Sequence, residues 1–124
     1  MDFDVPCPSP AAESGLWVST EDEELTVGFH THHRHFTDYH ERTHIRQIET
    51  GITYAADIIA ERVGVVSWYR GGRFAGSSSI ELPYAGSLQR QPPACVPVDR
   101  VFAGSERMTL RSWLGRFDRD EVIA

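Results

Sequence analysis

Residues 45–73 read Ile45-Arg46-Gln47-Ile48-Glu49-Thr50-Gly51-Ile52-Thr53-Tyr54-Ala55-Ala56-Asp57-Ile58-Ile59-Ala60-Glu61-Arg62-Val63-Gly64-Val65-Val66-Ser67-Trp68-Tyr69-Arg70-Gly71-Gly72-Arg73. The apolar period changes within this stretch. Ile45, Ile48, Ile52, Ala55, Ala56, Ile59 and Val63 recur at steps of three and four, the stripe of an amphipathic helix. Arg46, Glu49, Thr53, Asp57 and Glu61 fall on the other side. From Val65 the chain turns β-branched and aromatic, and Gly71-Gly72 then marks a hairpin turn. The helix is expected over residues 39–63. Asp38 and Glu41 form a capping-box pair at its start, and Gly64 is placed to end it in a left-handed conformation. Gly51 costs about 1 kcal/mol inside a helix relative to alanine. It either permits close packing or breaks the helix in two.

Upstream, Leu25, Val27 and Phe29 alternate with Thr26, Gly28 and His30, the period of a half-buried strand. Leu16 to Thr20 reads as a strand before it. The acidic run Glu21-Asp22-Glu23-Glu24 reads as the turn between them. Pro6, Pro8 and Pro10 oppose helix and ladder hydrogen bonding, so residues 1–15 are expected to be a flexible leader. Downstream, Phe74 to Leu82 returns as a strand. Pro83, Pro92, Pro93 and Pro97 make 83–97 a long loop. Val98–Ala103 and Met108–Trp113 form a last strand pair around Gly104-Ser105. The expected fold is α+β: one antiparallel sheet with one long helix on a face, in the order β-β-α-β-β-β-β, as a single domain over 16–124.

Length and charge set limits. The chain has 124 residues, 18 acidic against 12 basic, for a net charge of −6. All the basic residues are arginine, which excludes P-loop and Schiff-base lysine chemistry. An acidic surface opposes nucleic acid and anionic membranes and attracts basic proteins. No apolar run reaches the ~20 residues of a membrane helix. The N-terminus lacks the charged and apolar regions of a signal peptide. Cys7 and Cys95 make no disulfide framework. These features lead to the expectation of a cytoplasmic protein.

The six histidines lie between positions 30 and 44. His40-Glu41-Arg42-Thr43-His44 matches H-E-x-x-H, which on a helix puts two imidazoles on one face for zinc and a glutamate beside them as base. Arg42 places a cation between those ligands, and no third ligand follows at the usual spacing. His30-x-His32 and His33-x-His35 each place two rings on one face of a strand. No histidine occurs after His44 to complete a cupin-type set, and the chain is short for a metallo-β-lactamase. The simpler reading is that some rings pack at the strand–helix junction and the others face solvent. No nucleophilic triad stands out, and neither cysteine sits in an electropositive setting.

Three segments carry a resemblance: Leu25-Thr26-Val27-Gly28-Phe29-His30 running on to His33-Arg34-His35-Phe36, Val65-Val66-Ser67-Trp68-Tyr69-Arg70-Gly71-Gly72-Arg73, and Arg111-Ser112-Trp113-Leu114-Gly115. Over residues 16–119 the chain resembles small bacterial immunity proteins encoded beside polymorphic toxins. That resemblance implies a non-enzymatic protein without a cofactor, which binds a toxin domain in the cytoplasm and neutralises it. It also implies no role for H-E-x-x-H. An acidic inhibitor suits a basic cleft, such as that of a nucleic-acid-targeting toxin. The candidate contact residues are Glu21, Asp22, Glu23 and Glu24 in the acidic turn, and Tyr84, Gln89 and Arg90 in the long loop. The alternatives are a small zinc hydrolase using His40, Glu41 and His44, and a non-catalytic binding module of another kind.

Overall fold

In a computed structural model, residues 2–21, 24–36, 44–88 and 106–122 are described. The strands are β1 (Asp2–Val5), β2 (Leu16–Glu21), β3 (Glu24–Phe29), β4 (His32–Phe36), β5 (Val63–Arg70), β6 (Arg73–Glu81), β7 (Arg107–Arg111) and β8 (Arg119–Val122). The helix α1 spans His44–Ile59, between β4 and β5. The class is α+β, but the strands form two four-stranded antiparallel sheets in place of the single sheet expected. Their orders are β1-β2-β3-β4 and β6-β5-β7-β8. Among the described residues no helix is long and apolar enough to cross a membrane.

Four strands precede the helix, where two were expected. The proline-bearing leader begins as β1, with Phe3 opposite Val18 and Val5 opposite Leu16. Its prolines follow the strand and do not interrupt it, so the ladder forms despite them. Further along, Ser9 is buried and the Cys7 thiol donates to the Trp113 carbonyl at 3.2 Å. The flexible-leader expectation is thus corrected for this segment. The histidine-rich stretch supplies β4, in which Phe36 pairs with Leu25 and His33 with Gly28. The expected strand Val98–Ala103 lies outside the described residues, and β7 pairs with β5 on one side and β8 on the other.

The helix is continuous through Gly51, because a side chain there has no room. A Cβ at Gly51 would lie 2.1 Å from the Leu25 Cδ2. The helix ends through Glu61, whose φ of +57° takes the left-handed conformation assigned above to Gly64. Gly64 lies in β5 instead, with its backbone against the Arg111 carbonyl. The Glu61 carboxylate offsets the strain of that conformation. It accepts from Ser112 Oγ at 2.6 Å, from the amides of Leu114 and Arg116 at 3.2 Å each, and from Arg116 Nε at 2.6 Å. Burial pushes this carboxyl up, but the hydrogen bonds outweigh it and hold it below the ordinary carboxylate range.

Two apolar clusters hold the domain together. The larger joins the first sheet to α1 and the second sheet, through Leu16, Val27, Phe29, Ile58, Val65 and Trp113. The smaller covers the far face of the second sheet, through Val66, Leu88, Met108 and Leu110. Glu121 pins the strap over this second cluster by accepting from the Leu88 amide and Ser87 Oγ. Polar contacts also join the two sheets. Thr31 Oγ1 and Ser67 Oγ are 2.7 Å apart, and His32 Nδ1 lies 2.9 Å from Ser77 Oγ.

Candidate functional site: an apolar groove between the helix and the first sheet

The helix carries a wider apolar arc than one packing contact can cover. Gly51, Tyr54 and Ile58 face inward and are buried. Ile52 and Ile59, placed in the core by periodicity, are 61% and 44% exposed. Helix geometry gives the reason: Ile52, Ala55, Ala56 and Ile59 form a second stripe beside the first, rotated away from the sheet junction. Phe3 of β1 is 50% exposed and turns toward the same space.

Between this stripe and the inner face of β1–β3 runs a groove of about 500 Å³. Its lining comprises Phe3, Val5, Leu16, Val18, Thr20, Leu25, Val27, Gly51, Ile52, Ala55, Ala56 and Ile59, and Thr20 is the only polar side chain among them. A volume of this size matches natural binding clefts, yet the site lacks the convergent polar groups that orient a small substrate. Thr20 and Leu25 are cross-strand partners, and the next pair, Glu21 and Glu24, closes the β2–β3 hairpin. Because Thr20 and Leu25 face the groove, Glu24 faces the opposite side of the sheet. Glu24 forms an ion pair with His35, which also lies 3.0 Å from Thr26 Oγ1.

On the other side of α1 lies a second concavity of about 590 Å³, of mixed charge. The Arg34 guanidinium stacks over Tyr54 at 4.8 Å and Phe36 at 5.2 Å, with Glu49, Asp57 and Glu81 around the rim. Asp57 is engaged by Arg62 at 2.8 Å.

The sequence-derived site residues divide between two places. Glu24 lies on the sheet face opposite the groove, Glu21 pairs with it at the end of β2, and Asp22 and Glu23 lie outside the described residues. Tyr84 is remote from them and packs on the second apolar cluster. Its hydroxyl donates to the Ser87 carbonyl at 2.9 Å and the Arg119 guanidinium lies over its ring. Gln89 and Arg90 lie outside the described residues. So do His40 and Glu41, and of His44 only its place at the start of α1 is described. Among the described residues no group of three or more His, Cys, Asp or Glu is arranged to hold a metal. The groove itself was missed from sequence. Its signal was available in the helix, where Gly51, Tyr54 and Ile58 add a second apolar stripe beside the one through Ile52 and Ile59.

The remaining histidines serve the fold. His30, with φ of +56°, accepts from the Glu13 amide at 2.9 Å through Nδ1 and holds the 12–15 segment to the sheet. Burial pushes its pKa down. His32 is lowered to about 4, first by burial and then by the neighbouring His33 and Arg34. His33 stacks edge-on against His35 at 4.9 Å and faces Trp17 at 5.9 Å.

Together these features define a two-sheet α+β domain with a concave apolar surface between α1 and the first sheet. No protein family, no curated protein and no solved structure matches the chain.

Proposed function

We propose that this domain is a non-catalytic protein-binding module of the immunity type, which captures a basic toxin domain and occludes its active site in the cytoplasm. The observation that carries the reading is the apolar groove between α1 and β1–β3. Such a surface is chemically suited to another protein and poorly suited to substrate turnover. A net charge of −6 favours a basic partner and speeds the encounter. The likeness of three segments to immunity proteins supplies the biological role.

The test is co-expression with the toxin domain encoded immediately upstream. The reading predicts a co-purifying complex that weakens as salt rises, and cells protected from the toxin. No complex, or a neighbourhood of metabolic enzymes with no toxin gene, overturns it.

A further inference from the structure

Residues 6–15 join β1 to β2, and three hydrogen bonds tie this loop to a single residue in the turn between β3 and β4. The Glu13 amide donates to His30 Nδ1 at 2.9 Å, the His30 amide donates to the Ser14 carbonyl at 3.3 Å, and Ser14 Oγ donates to the His30 carbonyl at 2.8 Å. His30 has a φ of +56°, a conformation that few side chains other than asparagine adopt readily.

The first of these bonds fixes the protonation state of the ring. A backbone amide can only donate, so Nδ1 must keep its lone pair and the proton of the neutral ring sits on Nε2. Nε2 is buried and has no hydrogen-bond partner among the described residues. A second proton can go only to Nδ1, and there it meets the Glu13 N–H, donor against donor. The charged groups around the ring are Glu13 in the loop, Arg111 in β7 and Asp118 in the turn before β8. Burial, the largest influence, disfavours the imidazolium; Glu13 and Asp118 favour it and Arg111 opposes it, so the closed loop keeps the ring neutral. β1 hangs on this loop. It is a four-residue strand at the edge of its sheet, and it supplies Phe3 and Val5 to the groove wall.

We propose that His30 is an acid-sensitive latch: protonation at Nδ1 expels the Glu13 amide, frees the 6–15 loop and loosens β1, while α1 and the second sheet stay folded. The latch does not depend on what the groove binds, but its opening takes Phe3 and Val5 out of the groove wall. Opening the loop returns the ring to water, where it titrates near its ordinary 6.5. One pH unit below that value the open form is therefore favoured by up to about tenfold over neutral pH.

The experiment is hydrogen exchange of the full chain at about pH 7.5 and about pH 5.5, expressed as protection factors so that the intrinsic pH dependence of exchange cancels. Residues 2–15 are expected to exchange ahead of β5 and β7, and to lose up to about tenfold in protection at the lower pH. His30→Asn keeps an acceptor at the Nδ1 position, tolerates the positive φ and does not titrate, so its 2–15 segment is expected to be protected equally at both pH values. His30→Gly tolerates the same φ but offers no acceptor, and its 2–15 segment is expected to be poorly protected at both. Unchanged protection of residues 2–15 in the native chain overturns the inference. So does a loss of protection in His30→Asn equal to that of the native chain, or exchange of residues 2–15 only in step with β5 and β7, which would mean that the loop opens by global unfolding alone.

Discussion

The Glu61 carboxylate and the Ser112 hydroxyl, 51 positions apart in sequence, lie 2.6 Å apart in the interior. This contact ties the end of α1 to the turn between β7 and β8. Glu61 is 1% exposed at its side chain, whereas its ion-pair partner Arg116 is 66% exposed. The interior donors should therefore matter more than the arginine. Glu61→Gln puts an amide where Ser112 and two backbone N–H groups need an acceptor, and should cost about 2–3 kcal/mol. Arg116→Ala removes a screened partner and should cost under ~1 kcal/mol. Urea denaturation of the two variants checks the order, and a larger loss for Arg116→Ala would contradict it.

Acid should weaken the fold before its carboxylates titrate. His32 has a pKa of about 4 in the folded chain, against an ordinary 6.5. The folded state thus keeps the ring neutral while the unfolded chain protonates. The stability is fully present above pH 6.5 and is lost as pH falls from 6.5 towards 4, by an amount of the order of 1–3 kcal/mol. His30 acts in the same direction, through burial. His32→Asn can retain a polar contact to Ser77 and does not titrate. Its urea midpoint should change less between pH 7 and pH 5 than that of the native chain.

Gly51 sets how closely α1 approaches the first sheet. Alanine there gains about 1 kcal/mol of helix propensity, but its Cβ meets the buried Leu25 side chain. Overpacking of this kind costs about 1–3 kcal/mol. Gly51→Ala is expected to lower the thermal midpoint and to change binding of the toxin domain, because Leu25 is part of the groove lining. A raised midpoint with unaltered binding would show that Leu25 moves aside freely.

Local patterning made most of the elements legible and the layering much less so. Alternation located β2, β3, β5, β6 and β7, and the three-to-four spacing located α1, because each signal is carried by neighbours in sequence. β1 was hidden by the prolines that follow it. β4 was hidden by His33, Arg34 and His35, which are exposed and give no apolar alternation. β8, Arg119-Asp120-Glu121-Val122, is mainly polar and is held by pairing, by Arg111 and Arg107 on Asp120, and by Glu121 on the Ser87 hydroxyl and the Leu88 amide. The split into two sheets depends on contacts such as Thr31–Ser67, which no local pattern encodes. For the site, the acidic turn was legible as charge. The groove was not, because the periodic stripe through Ile52 and Ile59 looked like core.

The binding account gives His40, Glu41 and His44 no chemical role. It predicts that the purified chain carries no stoichiometric zinc by elemental analysis. It also predicts that His40→Ala binds the toxin domain as the native chain does. One zinc per chain, lost in His40→Ala together with a hydrolytic activity, would establish the hydrolase reading instead.

The central claim is that this chain acts by seating another protein through the groove. The most direct measurement is titration of the upstream-encoded toxin domain's own activity with the native chain and with Ile52→Ser/Ile59→Ser. The account predicts stoichiometric inhibition by the native chain, and much weaker inhibition by the substituted one that falls further with salt. Full toxin activity in an excess of native chain would contradict it.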